Sequence, residues 1–395
     1  MADEIEIRAL RDTDDIDAQL DLSERAFGPQ DADGKASWRQ MSRRLVAGGT
    51  NRAAFDGSRA VGAAFYFDMR QWWQGRSVPM AGVSGVKIAP EDRGRGIGKR
   101  LMTALLDDIA ARGYPLSVLY PATMPIYRAL GWEVGGSLYT GEAPAWALRT
   151  LAPPDLASPG APHIRRVAGQ DAGAITDVIA RVHERSRDSG PITWDEASTA
   201  AAFDDRHTYA YLCEDGFTWY EWYDGNKGIF VGGVQAASGG ALRALWSLVA
   251  SHGTIAEKYR FLTHPRDPIW QLAAEKEIEI QSTWHWMLRV VDAPAAIAAR
   301  GFPPAVSMDA PLSIVDQHRP ANAGGWMLTV DGGKGELTRR DGDGLTLSAR
   351  GLAALYGGTP VRSLRAAGLA TGGDPAADPA LDTAFGCVPY ILDTF

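Results

Sequence analysis

The stretch that decides the fold reads Gly82-Val-Ser-Gly-Val-Lys-Ile-Ala-Pro-Glu-Asp-Arg-Gly-Arg-Gly-Ile-Gly-Lys-Arg100. β-Branched residues within Val83–Ile88 predict a strand, and Pro90 ends it because proline has no N–H to donate to a ladder. A glycine-rich turn follows over Arg93–Gly98. Apolar residues then recur every four positions and predict a helix that Gly113 ends: Ile97, Leu101, Leu105 and Ile109.

Strand, glycine turn and helix in this order predict a pyrophosphate site. The first turn of a helix has unpaired N–H donors, and glycines let the backbone approach a phosphate closely. The stretch is not a P-loop, because Gly98-Lys99 is followed by Arg100 where serine or threonine is required. It is not a dinucleotide fingerprint either, because Lys99 stands at the third glycine. The plain alternative is a surface turn that precedes a helix.

Arg93, Gly96 and Gly98 fit the pattern Gln/Arg-x-x-Gly-x-Gly/Ala. This pattern resembles the acetyl-CoA signature of the GCN5-related N-acetyltransferases. Leu116–Tyr120 predicts a second strand. Pro125–Trp132 then resembles the second signature of that family, a short helix whose tyrosine faces the thioester sulfur. The resemblance implies acetyl-CoA as co-substrate.

Length and composition bound the remaining possibilities. A chain of 395 residues predicts two to four domains. Two cysteines and seven scattered histidines predict neither a disulfide framework nor a metal site. The net charge of −8 argues against nucleic-acid binding. The acidic N-terminus does not resemble a signal peptide, and no run reaches the roughly 18 apolar residues of a membrane span, so we expect a cytoplasmic protein.

The first domain is expected to cover residues 1–150, with the element order β-α-α-β-β-β-α-β-α. Its start is predicted as a strand, two helices, a hairpin and a second turn: Ile5–Arg8, Asp12–Phe27, Trp38–Val46, Ala53–Asp68 around Asp56-Gly57, and Gln71–Gly75. Four prolines within Leu151–Pro162 predict a linker.

The middle region, residues 151–283, is predicted to be a second copy of the same fold. An opening strand and helix are expected at His163–Val167 and Asp171–Glu184. Later elements are expected as four strands and a helix: Thr208–Cys213, Phe217–Tyr223, Gly228–Gln235, Thr254–Thr263 and Asp267–Lys276. Ala241–Val249 follows Gly239-Gly240 without the signature arginines, so this copy is predicted to be degenerate and structural. Its many aromatic residues are expected in the core or an interface.

The last region, residues 284–395, resembles a sterol carrier protein-like α+β module. The pattern predicts a strand over Trp286–Val291 and a helix over Asp292–Gly301. A hairpin is expected over Asp331-Gly332-Gly333, and a strand and a helix over Leu345–Ser348 and Ala349–Tyr356. The fold class is therefore α/β (α+β): two tandem GCN5-related acetyltransferase folds, the second degenerate, and a sterol carrier-like domain.

This combination resembles the Eis (enhanced intracellular survival) family. The resemblance implies N-acetylation of primary amines, on aminoglycoside-like or lysine-like acceptors, by a homohexamer. Carried over by position, it implies that the backbone of three residues pairs with the pantetheine arm: Val86, Lys87 and Ile88. It also implies that the pyrophosphate is held by Arg93, Gly94, Arg95, Gly96, Ile97, Gly98 and Lys99. A more distant part of the cofactor would lie along Ala122 and Thr123.

The same resemblance implies the catalytic groups. Tyr127 would be the general acid that protonates the thiolate, with a half-buried core tyrosine as the alternative. The C-terminal carboxylate of Phe395 would be the general base. The tail Cys387–Phe395 is apolar, which favours docking over a mobile end.

Acceptor binding is expected to involve Phe27, Trp38 and Asp393, although Trp38 fits a packing role equally well. Gly28-Pro29 follows Phe27 where the family often has an acid, and Asp393-Thr394 stands where a glutamate beside the last residue is typical. Fewer acids would weaken recognition of polycationic acceptors. A second hypothesis is a non-catalytic acyl-CoA or lipid-binding assembly that uses the sterol carrier-like domain and its apolar stretch Leu345–Leu355.

Overall fold

The first fold is a twisted sheet with helices on both faces, as the predicted element order requires. The computed structural model describes residues 5–11, 13–149, 151, 161–205, 207–274 and 276–395. The elements in chain order are β1 Glu6–Arg8, α1 Thr13–Phe27, α2 Ala32–Gly48, β2 Asn51–Asp56, β3 Arg59–Trp73, β4 Arg76–Ile88, α3 Ile97–Ala111, β5 Leu116–Leu119, α4 Pro125–Ala129, β6 Glu133–Pro144 and α5 Ala145–Arg149. Buried residues of α3, including Leu101, Leu105 and Ile109, pack on the sheet and confirm the apolar repeat.

The predicted turn over Gln71–Gly75 is shorter in the structure. Only Gln74 and Gly75 turn, both with positive φ, and Trp73 pairs with Arg76 across the hairpin. Gln71 and Trp73 are fully buried at the end of β3. Burial of these side chains and the complete β3–β4 ladder outweigh the polar, turn-like appearance of the segment.

The second fold repeats this arrangement. Its elements are β7 Arg165–Val167, α6 Ala172–Ser186, β8 Ser189–Trp194, α7 Glu196–Phe203, β9 Tyr209–Cys213, β10 Gly216–Tyr223, β11 Gly228–Ala236, α8 Gly239–Ala250, β12 Lys258–Thr263 and α9 Ile269–Leu272. Most of the predicted linker, residues 152–160, lies outside the described residues, as does Asp12 at the expected start of α1.

Two predictions for the second fold are corrected by the structure. The helix expected over Asp267–Lys276 is only the four-residue α9, because Pro268 precedes it and Ala273 is already extended. The strand expected from Thr254 begins at Lys258, since Ser251–Thr254 forms a 3-10 turn after α8. Strand β8 was not predicted, and it pairs with β3 of the first fold.

The last region forms a separate five-stranded sheet with helices. Its elements are β13 Glu279–Val290, α10 Ala293–Ala299, β14 Met308–Val315, β15 Gly324–Asp331, β16 Lys334–Arg339, β17 Leu345–Ser348, α11 Ala349–Tyr356, α12 Val361–Ala366, β18 Ala370–Gly372 and α13 Asp378–Phe385. The order within the sheet is β16-β15-β14-β17-β18. The predicted hairpin and the following strand and helix are present.

Strand β13 belongs to the large sheet and joins the regions. It lies between β5 and β6 of the first fold, antiparallel to both, and β6 in turn pairs with β12 of the second fold. Both acetyltransferase-like folds thus share one sheet of 13 strands. Because β13 crosses the expected limit between residues 283 and 284, the division into 1–150, 151–283 and 284–395 stays a prediction. None of the described helices has the length and apolar composition needed to span a membrane.

Candidate active site

Two neighbouring parallel strands, β4 and β5, separate at one end and open a notch. They pair only from Met80 opposite Leu116 to Val83 opposite Leu119. Beyond this point β4 continues to Ile88, and it remains paired only with β3 among the described strands. The backbone of residues 84–88 therefore presents peptide groups on the side that β5 has left, which suits an extended ligand that hydrogen-bonds like a strand.

A bulge in β4 lies at the mouth of this notch. Three steps along β4, from Ser84 to Lys87, match two along β3, from Phe65 to Ala63. Gly85 has φ +60°, and a side chain there would collide with the Phe65 ring. Both Gly85 and Val86 line the cavity beside the notch, and a bulge locally interrupts the ladder and leaves its extra residue unpaired.

The predicted pyrophosphate loop lies at the N-terminus of α3. Gly96 is the residue before the helix, with φ +75°, and no described side chain caps the first turn. Neither Gly94 nor Gly96 has an atom near the position a Cβ would take. The open N–H groups and the free space fit a phosphate group of acetyl-CoA.

The charges around the loop are unequal. The Arg95 guanidinium contacts Asp56 at 3.1 Å and also Asp92. Arg93 and Lys99 are exposed and form no ion pair with a described residue. Arg95 is thus largely neutralised by its neighbours, which the sequence pattern did not indicate, whereas Arg93 and Lys99 offer free positive charge.

Tyr127 lies on α4, on the opposite side of the notch. Its side chain is buried, and its pKa is raised to about 12 because burial disfavours the phenolate. None of the described residues hydrogen-bonds to its hydroxyl, and the residue lines the same cavity as the β4 bulge. Ala122 and Thr123 are exposed in the segment between β5 and α4.

The C-terminal tail docks into the molecule, in agreement with its apolar composition. Ile391 is fully buried, and the Tyr390 ring stacks on His264 at 3.5 Å between centroids. The Tyr390 hydroxyl donates to Asp188, and the Tyr120 hydroxyl donates to the carbonyl oxygen of Asp393 at 2.8 Å. These contacts fix the tail just before its last two residues.

The tail ends beside the notch. The Phe395 ring lies against Gly82 of β4, and a Cβ added at Gly82 would stand 3.0 Å from this ring. The centroids of the Phe395 and Tyr120 rings are 5.6 Å apart. Trp194 of β8 is its second aromatic neighbour, at 6.3 Å. The tail, the first fold and the second fold therefore meet at this point.

One cavity of about 330 Å³ is lined by both predicted catalytic residues, Tyr127 and Phe395, and by some of the other predicted site residues. Phe27 and Trp38, from α1 and α2, form part of its wall, and Phe27 is 61% exposed at the rim. The complete lining is Ser23, Phe27, Gln30, Trp38, Met41, Phe65, Val83, Ser84, Gly85, Val86, Lys87, Leu119, Tyr120, Ala122, Tyr127 and Phe395.

Asp393 does not line this cavity but two neighbouring ones. Its carboxylate accepts hydrogen bonds from the Trp194 indole at 2.6 Å and from the Thr394 amide at 2.7 Å. Burial raises the pKa of Asp393 to about 6, and these hydrogen bonds partly oppose the shift. Its predicted contact with the acceptor stays a prediction.

Sequence reasoning missed the side chain of Lys87 and its partner Ser23. Lys87 was named only for its backbone, yet its side chain enters the cavity and donates to Ser23 at 2.7 Å. A lysine within an otherwise apolar strand was the available signal. Among the described residues, no three His, Cys, Asp or Glu side chains form a group that could hold a metal ion.

The second fold lacks the open cradle of the first. Helix α8 occupies the place of α3, but Ser238 caps it and accepts a hydrogen bond from the Ala241 amide. The tail fills the neighbouring space, with Leu392 packed over Gly233 of β11. The predicted degeneracy thus has a physical form: capped donors and an occupied notch.

Splayed parallel strands, an uncapped glycine turn before a helix and a buried tyrosine across the notch define an acetyltransferase of the GNAT class. Residues 6–135 and residues 186–290 each match a family model for an acetyltransferase (GNAT) domain. Residues 293–391 match the model for a sterol carrier protein domain.

The chain belongs to the GCN5-related N-acetyltransferase family, and it is similar to Eis proteins within that family. It is 41% identical to a GCN5-related N-acetyltransferase from Kribbella flavida of known structure, with a TM-score of 0.92 and coverage of 100% of this chain and 99% of the other. The N-acetyltransferase Eis of Mycobacterium tuberculosis is 29% identical over 70% of each chain. An uncharacterized N-acetyltransferase of Streptomyces avermitilis is 29% identical over 92% of each. The protein is therefore an acetyltransferase, and acetyl-CoA is the co-substrate that its fold implies.

Proposed function

We propose that this enzyme transfers the acetyl group of acetyl-CoA directly to a primary amine. The observation that carries this proposal is that Tyr127 and the C-terminal residue Phe395 line one cavity beside the notch between β4 and β5. An acid and a base on one cavity are the two groups that a direct transfer needs.

The proposed site for acetyl-CoA follows the notch. The pantetheine arm hydrogen-bonds to the exposed backbone of Val86, Lys87 and Ile88. The pyrophosphate lies on the first turn of α3, with the loop Arg93–Lys99 around it and Arg93 as the free charge. Ala122 and Thr123 border the cofactor on the side of α4.

The proposed reaction needs two proton transfers. The nitrogen of the neutral amine forms a bond with the thioester carbon, and the Phe395 carboxylate takes the proton that this nitrogen loses. As the carbon–sulfur bond breaks, Tyr127 donates its proton to the departing thiolate. A phenol with a pKa of about 12 is protonated throughout the neutral range and therefore stays a donor. A terminal carboxylate is a weak base in water, so position and desolvation supply most of its effect.

The proposed acceptor enters past α1 and α2, where Phe27 and Trp38 form an aromatic wall. The Eis relative makes a lysine-like or aminoglycoside-like amine the natural class to test. The family resemblance also supports a homohexamer and a cytoplasmic location, which light scattering and cell fractionation would test.

The lipid-binding alternative loses its main support. The apolar stretch Leu345–Leu355 is used for packing, because Leu345, Leu347, Leu352 and Leu355 are all buried in a core shared with the first fold. Buried leucines of a packed core are not available to a fatty acid.

The test is thiol release from acetyl-CoA with a panel of primary amines, lysine peptides and aminoglycosides. We expect release that depends on the amine, with the acetylated product identified by mass spectrometry. Binding of acetyl-CoA without amine-dependent release would contradict amine acetylation, and no binding of acetyl-CoA would contradict the proposed site.

A further inference from the structure

Lys87 places a buried positive charge in the wall of the acceptor cavity. It lies on β4 directly after the bulge, and only 4% of its surface is exposed. Its ammonium donates to the Ser23 hydroxyl of α1 at 2.7 Å and lies 5.2 Å from the centre of the Trp38 ring on α2. Helices α1 and α2 thus hold the lysine on the side of the sheet from which the acceptor enters.

The charge of Lys87 has no acidic partner. It forms no ion pair with any described residue, and neither aspartate nor glutamate occurs in the cavity lining. Burying an unpaired ammonium is costly, and a protein usually avoids it or pairs the charge. A buried charge without a partner in the protein is the arrangement expected where the partner arrives with a ligand.

The ammonium retains hydrogen-bonding capacity for such a ligand. It has three donors, and Ser23 accepts one of them. Burial lowers the pKa of Lys87 to about 8, so the group is still mainly protonated at pH 7. A bound anion would raise this pKa again and stabilise the charged form.

We propose that the acceptor is a primary amine that also carries an anionic group, a carboxylate or a phosphate, and that Lys87 binds this group. The inference rests on the proposed function, in which the Phe395 carboxylate receives the amine. The lining then contains one cationic and one anionic group, which match the two charges of a zwitterionic acceptor. A second ammonium near Lys87 would be repelled, so polycationic acceptors are disfavoured.

The test compares four linear primary amines of equal chain length. They end in a carboxylate, a phosphonate, a neutral carboxamide or a second ammonium, and kcat/KM is measured for each by thiol release. For the wild-type enzyme we expect the better acidic acceptor to exceed the diamine by at least about tenfold, mainly through KM. The preferred acidic end then distinguishes a carboxylate from a phosphate source.

The variants assign the preference to Lys87. In Lys87→Met, we expect kcat/KM for the better acidic acceptor to exceed that for the diamine by no more than about threefold. Lys87→Arg should keep most of the wild-type preference, because only this variant retains the charge. Lys334→Met, at an exposed site in the last region, is the matched control. Thermal melting and acetyl-CoA binding show that each variant is folded.

Two results would overturn the inference while leaving amine acetylation intact. One is a wild-type enzyme that acetylates the diamine as well as the acidic amines. The other is a Lys87→Met enzyme with an unchanged ratio. If the wild-type enzyme acetylates no amine at all, the proposed function itself is wrong, and the inference falls with it.

Discussion

At the scale of single residues, Tyr127 suits the proposed role of general acid because its phenol lines the cavity and stays protonated. Its hydroxyl has no hydrogen-bond partner among the described residues, although burial normally enforces one. A donor that faces the cavity is available to a reacting group. In the proposed mechanism, the raised pKa keeps the proton on the phenol until the thiolate forms beside it.

We therefore expect Tyr127→Phe to lower kcat by about 10²- to 10⁴-fold, the range usual for a general acid. The affinity for coenzyme A, measured by calorimetry, should change little because the ring remains. Tyr139→Phe, on β6 and outside the cavity, is the control for loss of a phenol. A Tyr127→Phe enzyme with normal turnover would remove Tyr127 from the mechanism.

Asp393 makes the stability of the fold depend on pH. Its pKa is about 6 when folded and near 4 when unfolded, so the folded state binds more protons between these values. Stability therefore falls as pH rises through this window. The free energy of unfolding of Asp393→Asn, relative to that of the wild-type protein, should therefore be higher at pH 7.5 than at pH 4.5 by on the order of 2 kcal/mol.

Urea unfolding at the two pH values measures this difference. Asp343→Asn, at an exposed site, controls for the loss of one negative charge. If the free energy of unfolding of Asp393→Asn differs from that of the wild-type protein by the same amount at both pH values, Asp393 does not cause the pH dependence.

At the scale of elements, the C-terminal tail is anchored just before its last residues and ends at the candidate active site. Tyr390 anchors the tail against the second fold, and Ile391 is buried in the core that the first fold shares with the last region. Phe395 reaches β4 of the first fold. The anchor and the end are separate, so the position of the carboxylate can be changed without undocking the tail.

We expect a single glycine added after Phe395 to lower kcat by at least about 10²-fold, because it displaces the carboxylate that we propose as the base. The melting temperature should stay near that of wild type, since Tyr390 and Ile391 are unchanged. A glycine inserted after Met1 serves as the control. Full activity of the extended enzyme in the thiol-release assay would exclude the terminal carboxylate as the base.

At the scale of the whole molecule, the three regions depend on one another. Strand β13 completes the sheet of the first fold, and side chains of the first fold such as Trp73 and Met80 share a core with Leu312 and Tyr356 of the last region. Arg289 of β13 makes a fully buried ion pair with Asp316, with both oxygens at 2.7 Å.

Arg289→Met should destabilise the protein by about 3–5 kcal/mol, because it leaves Asp316 charged and buried. Arg260→Met, which breaks an exposed pair with Glu142 between two strands, should cost less than about 1 kcal/mol. Chemical denaturation of both variants measures the contrast. If both variants lost the same free energy of unfolding, burial of the Arg289–Asp316 pair would not be the reason for its contribution to stability.

The sequence by itself determined the strand, glycine turn and helix around Arg93–Lys99 and the docking of the apolar tail. These features depend on local backbone preferences and on hydrophobic periodicity, which neighbouring residues in the chain express directly. The short helix of Tyr127, the two copies of one fold and the sterol carrier-like module were predicted from the resemblance to known families.

Only the tertiary structure decided which side chains meet. Strand β13 enters the first fold from far along the chain, and β8 pairs with β3. Arg95 is neutralised by Asp56 and Asp92. Lys87 has no ion-pair partner among the described residues and lies against Ser23 and Trp38. Charge pairing and burial depend on distances between residues that are remote in sequence, and no local pattern contains those distances. The local pattern therefore indicates where a cofactor would bind, whereas the packing of α1, α2 and the tail shapes the cavity in which we propose that the acceptor binds.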